Sequence, residues 1–309
     1  MKNLQICLST DDNYAKYAAV VIKSAQENKN GDEELVFHIL HSHLGHDNMK
    51  KLKQCGNVIF HKIDNSLFEP YFNNGVCKNV TIPTLYRLML PSLLPEVNRI
   101  LYLDCDLIVL DSLSDLFNTE LSPAQYAACV EDMGANLHMA RMGFEQKPGN
   151  FYFNAGVCLL DLEKMRRDNI EKKMFDYLKA NWQKLSYSDQ DVMNATLLGH
   201  VKKMEKKYNF ITINFYFSND LHPVIAHFAG VKPWKIGFYN IYREKFWEYF
   251  MQTPFADDKK QIRIKNMIHF MHNRLCQIFW HIKMYPCFFL KENRRTDLMR
   301  IIKNIEYKG

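Results

Sequence analysis

Two aspartates spaced one residue apart, Asp104 and Asp106, stand where the apolar run Ile100–Leu103 meets a second one, Leu107–Leu110. Read as strand, the alternation of side chains puts both carboxylates on one face and Cys105 on the other. Paired carboxylates at the mouth of a buried strand are costly unless something positive sits between them. The chemistry this suggests is a divalent cation holding a phosphate-bearing ligand; the plainer account is a polar strand end facing water. Three further polar clusters interrupt apolar runs: Asp11–Tyr14, Asn154–Gly156 and His227–Lys232. All four are read as carboxyl ends of strands, where ligands sit in open α/β sheets. Brought together, Asp104, Asp106 and His227 make an O,O,N set for a borderline-hard divalent ion such as manganese. Lys232 and Arg87 would offset the remaining phosphate charge. Taken singly, His227 also fits a near-core histidine, and Lys232 a side chain lying over Trp234.

The elements that must position these residues alternate between strand and helix patterns. Leu4–Ser9 reads as a buried strand. A helix follows Asp11–Tyr14, with Ala18, Ile22 and Ala25 on its apolar face and a stop at Asn30-Gly31. Leu35–Leu40 and Asn57–His61 read as strands, with a helix over Asp47–Gln54 between them. The polar and aromatic stretch Asp64–Asn79 reads as a long loop able to cover a substrate. Pro83 opens a helical stretch that carries Arg87 one turn inside it. Tyr126–Val130 is a further strand, and 133–150, rich in Gly, Met and Asn, reads as loop. Val157–Leu160 is expected as strand and Glu163–Arg167 as helix, with the small residues 155 and 156 letting a ligand approach the backbone. Ser188 is expected to cap a helix whose first turn holds Asp189 and Asp191. The pattern predicts an α/β fold, a mixed Rossmann-like sheet flanked by helices.

Composition narrows the class. At 309 residues and 47% hydrophobic, the chain can bury one large core or two modest ones. It has no uncharged apolar run of about 18 residues, so no transmembrane helix is predicted. The start, MKNLQICLSTDDN, turns acidic too early for a signal peptide. The eight cysteines are scattered singly with no C-x-x-C pair, which points to reduced thiols in a cytoplasmic protein. Charge is uneven. Residues 259–309 carry 12 Lys/Arg against 3 Asp/Glu, leaving 28 against 31 of the 40 and 34 for residues 1–258. The tail also repeats apolar residues at helical spacing, from Ile264, Ile268 and Met271 to Leu275, Ile278 and Ile282. The expected organisation is therefore a catalytic domain over 1–258 and a basic amphipathic helical segment over 259–309. That segment either packs on the domain or rests on an anionic membrane surface, making the protein peripheral at the inner face of the cytoplasmic membrane. The apolar stripe is too continuous for a solvated nucleic-acid-binding arm, and no nucleic acid partner is expected.

Six motifs occur in order: TDDNYA (10–15), TLYRL (84–88), ILYLDCDLIV (100–109), FNAGV (153–157), SDQDVMN (188–194) and HFAGVKPW (227–234). Together they resemble glycosyltransferase family 8, retaining enzymes of the GT-A fold that include bacterial lipopolysaccharide galactosyl- and glucosyltransferases. The resemblance spans residues 4–240. It implies a UDP-sugar donor, UDP-galactose or UDP-glucose, and Mn²⁺, or Mg²⁺, on Asp104, Asp106 and His227. It also implies uracil and ribose contacts from Asp11, Asn13 and Tyr14, and donor-sugar contacts from Arg87, Asn154, Ala155 and Asp189. Gly230 and Lys232 match diphosphate contacts, Gln190 the residue beneath the anomeric carbon, and Asp191 the carboxylate next to it. Two features depart from the bacterial galactosyltransferases of the family. Glu131 replaces a sugar-contacting Asp, and His227 to Lys232 is one residue shorter.

The resulting expectation is a retaining hexosyltransferase acting on a saccharide or glycolipid acceptor in cell-surface glycan synthesis. An amide is a poor nucleophile, so Gln190 yields to Asp191 as the chemical candidate if its geometry allows; the alternative is attack on the face from which UDP departs. A non-catalytic sugar-nucleotide or glycan-binding protein would keep the same acidic set. A haloacid-dehalogenase-type phosphatase would need Thr or Val where Ile108 stands.

Overall fold

The computed structural model describes residues 2–72, 82–211, 222–230, 232–234 and 241–257. The chain divides into two compact units. One comprises Met1–Lys232 with Glu244–Asp257, and the other Pro233–Arg243 with Asp258–Gly309. Every candidate site residue belongs to the first. The amphipathic helices expected over 259–309 lie outside the described residues, as does the part of the 64–79 loop beyond Phe72.

The first unit is built on a seven-stranded sheet of order β3-β2-β1-β4-β7-β6-β8. Its strands are β1 (Lys2–Ser9), β2 (Glu33–His41), β3 (Asn57–Lys62), β4 (Arg99–Leu103), β6 (Ala127–Glu131), β7 (Phe153–Asp161) and β8 (Val201–Met204). β1 pairs in parallel with β2 and β4, and β2 with β3, whereas β7 runs antiparallel to both β4 and β6. The near-continuous apolar runs of β1, β2, β4 and β7 are what a sheet covered on both faces requires. A second sheet of three short strands has the order β5-β10-β9, from β5 (Leu107–Val109), β9 (Phe210–Ile211) and β10 (Ile225–His227).

Helix α1 (Ala15–Glu27) holds the small sheet in place. The Ser24 hydroxyl accepts from Val109 N at 3.0 Å, and Asn28 Nδ2 donates to Val109 O at 3.1 Å, so the C-terminal end of α1 grips the end of β5. Ala18, Ile22 and Ala25 are buried as the periodicity predicts, but so are Ala19, Val20 and Val21, because α1 is covered on more than one side. Helix α2 (His46–Cys55) buries Leu52 alone and is tied to the β1–α1 turn through Asp12, which accepts from Gly45 N and Asn48 Nδ2, both at 2.7 Å.

Three local expectations are corrected. The stretch 133–150 is not all loop: Ala135–Met142 is a helix that buries Ala135, His138 and Met139 on one side. It ends at Gly143, whose φ of 68° is the left-handed stop that glycine allows. Asp64 accepts from Ser66 N at 2.9 Å to start a 3₁₀ turn over Asn65–Leu67, and Glu69–Phe72 is helical, so that loop is partly ordered by its own chain. Ser188 does not cap the helix Ser188–Leu197; it is the first helical residue, with φ of 37°, and no side-chain cap is made at Tyr187. The capping is done from inside, where the Asp191 carboxylate accepts from Ser186 N (2.8 Å) and Tyr187 N (3.0 Å).

Candidate active site

Asp104-Cys105-Asp106 is not a strand interior but the crossing between the two sheets. Asp104 N donates to Gly156 O of β7 at 2.8 Å, while Asp106 O accepts from Phe228 N, just past β10, at 2.8 Å. The backbone is therefore held on one side by the large sheet and on the other by the small one. Cys105 turns inward, its thiol 3.2 Å from Ser9 O, so the two carboxylates still share a direction, as the alternation predicts.

The small sheet brings His227 to them. Its Nε2 lies 3.3 Å from Asp106 Oδ1 and 3.8 Å from Asp104 Oδ2, and one ligand atom from each of the three residues falls within 4.8 Å of the others. Two carboxylates and an imidazole nitrogen at that spacing match the donor preferences of a divalent ion of intermediate hardness, so the residues fit the metal expected of them. Gly156 makes the approach possible. A Cβ there would stand 2.7 Å from Asp104 Oδ2 and closer still to His227 Cε1. The small residue at 156 thus serves contact between protein groups as well as the ligand approach expected of it.

Two cations hold the carboxylates. Arg87, delivered by the 3₁₀ helix Ile82–Met89, is buried at 4% exposure and stacks over the Tyr102 ring at 4.1 Å. It pairs with Asp104 (2.7 Å) and Asp189 (3.1 Å) and donates to Ala155 O (2.6 Å) and Thr84 O (3.0 Å). These contacts engage Nε–H and one N–H on each terminal nitrogen, so Arg87 braces Asp104 and Asp189 while itself lining the cleft. Lys232 pairs with Asp106. Burial alone would push the Asp106 carboxyl up; Lys232 and His227 outweigh it and hold it well below the usual carboxylate range. At Asp189 burial is the larger influence and raises the carboxyl to about 6 against the pull of Arg87.

These groups line one cleft of about 360 Å³ with Asp11, Tyr14, Asn154, Ala155, Tyr187, Gln190 and Gly230. Asn154–Gly156 sits at the start of β7, not at a strand's carboxyl end; because β7 is antiparallel to β4, its start reaches the same sheet edge. Gly230 needs its residue type for conformation, since its φ is 87° while space for a Cβ is open. Gln190 lies in the cleft with Oε1 accepting from Ala155 N at 3.0 Å.

Other expected residues are placed differently. Asn13 is exposed and does not line the cleft. Asp191 is fully buried outside it, and its carboxylate accepts five hydrogen bonds: two from Arg141, one from the Tyr152 hydroxyl at 2.5 Å, and those from Ser186 N and Tyr187 N. A carboxylate so committed is a weak nucleophile, and Asp191 is withdrawn as the reacting group. The Asn154 amide is also spoken for. Its Oδ1 accepts from Gly156 N (3.0 Å) and Asn209 Nδ2 (2.9 Å), and its Nδ2 donates to Asp132 Oδ2 (3.3 Å). Glu131 pairs with Lys203 of β8 at 2.5 Å, away from the cleft. Asn209, Arg141 and Tyr152 escaped the sequence reading because all three stand outside the six motifs.

A parallel-rich sheet carrying a D-x-D crossing at its carboxyl edge, with a histidine brought back by a small second sheet, defines a GT-A-type glycosyltransferase. The chain belongs to glycosyl transferase family 8, whose profile matches residues 5–236. It is similar to the general stress protein A of Bacillus subtilis, 26% identical over 81% of this chain and 94% of that protein. It is also similar to a lipopolysaccharide 1,2-glucosyltransferase of Escherichia coli, 30% identical over 72% and 71%. Among solved structures, the galactosyltransferase LgtC with donor and acceptor sugar analogs aligns with a TM-score of 0.74 at 27% identity. That alignment covers 85% of this chain and all of LgtC.

Two expectations follow from the geometry. Gly156→Ala should keep its far-UV circular dichroism yet lose about tenfold or more in Mn²⁺ affinity, as His227 and Asp104 are pushed apart; a Mn²⁺ titration like that of the unchanged protein would contradict this. Asp189, raised to about 6, stabilises the fold in its protonated form. That contribution is complete below about pH 4 and is lost as pH rises through about 6. The wild-type melting temperature should therefore fall relative to Asp189→Asn between pH 4 and 7, and parallel profiles would refute the assignment.

Proposed function

We propose that this glycosyltransferase is a retaining, divalent-metal-dependent enzyme that moves galactose or glucose from UDP to a saccharide or glycolipid acceptor, in lipopolysaccharide, lipooligosaccharide or other cell-surface glycan synthesis. The observation that carries the reading is the convergence of Asp104, Asp106, His227 and Lys232 in one cleft that Asp189 and Gln190 also line. The similarity to a lipopolysaccharide glucosyltransferase and to LgtC supports the class of donor and acceptor.

Asp104, Asp106 and His227 would hold Mn²⁺ or Mg²⁺, which when bound supplies Lewis-acid charge to the leaving diphosphate. Asp11 and Tyr14 line the end assigned to uracil and ribose, and Gly230 and Lys232 face the diphosphate. Lys232 exchanges Asp106 for a phosphate oxygen as the bond to the sugar breaks, so charge on the leaving group is met by a cation already in place. Arg87, through Asp104 and Asp189, and Ala155, through its backbone, fix the sugar-binding wall.

Retention follows from attack on the face that UDP leaves. The acceptor oxygen bonds to the anomeric carbon, the bond from that carbon to the phosphate oxygen breaks, and the acceptor proton passes to that phosphate oxygen. The commitment of Asp191 to five donors supports this route over a covalent intermediate on that residue. Gln190, held by Ala155 N, would lie against the opposite face of the ring and confine the carbon in its charged transition state.

The basic, aromatic-rich tail would rest on the anionic inner leaflet and bring the cleft to a membrane-bound acceptor. Among the described residues no helix is long and apolar enough to cross a membrane. Flotation of the full chain with anionic vesicles should fall steeply with added salt and be absent with neutral ones; equal flotation with both would remove the tail from this reading.

Asp106→Asn should lower Mn²⁺-dependent UDP release from UDP-galactose or UDP-glucose by about 10²–10³-fold, since it removes an anionic ligand beside the leaving group. Wild-type turnover by this variant would refute the metal assignment. Absence of UDP release by the wild type with any sugar acceptor would favour a sugar-nucleotide-binding protein that lacks turnover.

A further inference from the structure

The polar atoms behind His227 form a directed chain, and its direction follows from a donor of known identity. Gly156 N–H can only donate, so the Asn154 atom 3.0 Å from it is the amide oxygen. The amino end of Asn154 then faces the Asp132 carboxylate at 3.3 Å, an acceptor, which is consistent. The same Asn154 oxygen lies 2.9 Å from the Asn209 amide, so Asn209 presents its amino group there. Its oxygen is thereby turned to His227 Nδ1, 2.8 Å away. An amide oxygen only accepts, so Nδ1 carries a proton. The reverse orientation of Asn209 would set two amide oxygens against each other. Asn209 is 0%, His227 2% and Asn154 9% exposed, so water offers little competition along this chain.

We infer that Asn209, oriented through Asn154 by the Gly156 N–H, is a positioning residue that holds a proton on His227 Nδ1 and so makes Nε2, the nitrogen between Asp104 and Asp106, the one that can give up its proton and coordinate. Nothing in the six motifs marks Asn209; it lies in the 3₁₀ turn Lys206–Asn209 that leads into β9. That strand pairs in parallel with β10, with Ile211 opposite His227, so the small sheet delivers the ligand and its orienting group together. A metal-binding imidazole commonly donates its other N–H in this way, and loss of such a partner costs about 10–100-fold in affinity. The reason is direct. With Nδ1 unsupported, the ring rotates or takes the other tautomer, which places a hydrogen on Nε2 where the lone pair is needed.

The inference rests on the metal-site reading, and its test separates the two. In the full-length, metal-free protein labelled with ¹⁵N-histidine, long-range ¹⁵N–¹H spectra at alkaline pH report the tautomer of each ring, with His227 identified by the signals missing from His227→Gln. The wild type should show His227 protonated at Nδ1; an Nε2-protonated ring would overturn the inference whatever the variants do. Asn209→Leu should lose that single tautomer and weaken Mn²⁺ binding about 10–100-fold, whereas Asn209→Asp, which keeps an acceptor at Nδ1, should retain the tautomer and bind Mn²⁺ more tightly than Asn209→Leu. Wild-type tautomer and affinity in Asn209→Leu would overturn the inference, as would equal weakening in both variants with the tautomer intact. A wild type that shows the expected tautomer but binds no Mn²⁺ would leave the tautomer assignment standing and refute the metal reading.

Discussion

The site depends on a crossing of backbone. Between β4 and β5 the chain leaves one sheet for another, and the three residues of the transfer are held from both sides, Asp104 through Gly156 and Asp106 through Phe228. A sheet edge normally ends in a loop whose side chains can relax. Here the ladder continues into each end of the transfer, so the backbone that carries the two carboxylates is fixed, with Asp106 buried and Asp104 only partly exposed. Their charge has to be answered where they stand. Arg87 answers Asp104 and Lys232 answers Asp106, and much of the rest of the cleft exists to place those two cations.

The cations are not equivalent. Arg87 is buried, stacked on Tyr102 and bonded to the backbone of Thr84 and Ala155; a guanidinium with five donors in a fixed plane can serve that many partners without moving. Lys232 has a flexible stem, follows a glycine in the left-handed region by two residues, and meets Asp106 and, at 3.3 Å, the carbonyl of Phe228. One cation is built in and the other is able to change partner. Under the proposed mechanism that difference would separate scaffold from machinery: Arg87 would preserve the shape of the acidic set, and Lys232 would supply the charge that follows the phosphate.

Much of this frame is legible in the sequence because burial on two faces writes itself as unbroken apolar runs. β1, β2, β4 and β7 fall where those runs predict, within one to four residues at their ends. The D-x-D and the histidine are legible as polar residues that end apolar runs. What stays hidden is whatever depends on strand direction or on partners far along the chain. The antiparallel course of β7 turns a strand start into part of the carboxyl edge, and no local pattern states it. The helix Ala135–Met142 is masked by the glycines at its two ends, Gly134 and Gly143, although its own residues are mostly good helix formers and three of them are buried. Asn209 has no motif, only an address: two residues before the β9 position that pairs with His227.

The helix Ser188–Leu197 shows why adjacent acidic residues in one motif part company. Successive residues of a helix project about 100° apart, so Asp189, Gln190 and Asp191 cannot all face the same space. Asp191 takes the inner direction, where Arg141, Tyr152 and the amides of Ser186 and Tyr187 converge on it. It secures the first turn of its own helix in place of the missing side-chain cap. That anchoring fixes where Gln190 and Asp189 can point, and both line the cleft. The turn is entered through Ser188 at φ 37°, a conformation that is unfavourable for a residue with a Cβ and that the surrounding contacts must over-determine. Asp191 is the group best placed to do so, since its oxygens bind the two amides immediately before Ser188. Its negative charge is therefore spent on shape. On the proposed reading, the side of the sugar away from the diphosphate would then meet an amide and a carboxyl that burial pushes towards its neutral form, and no free carboxylate of Asp191 that could capture it.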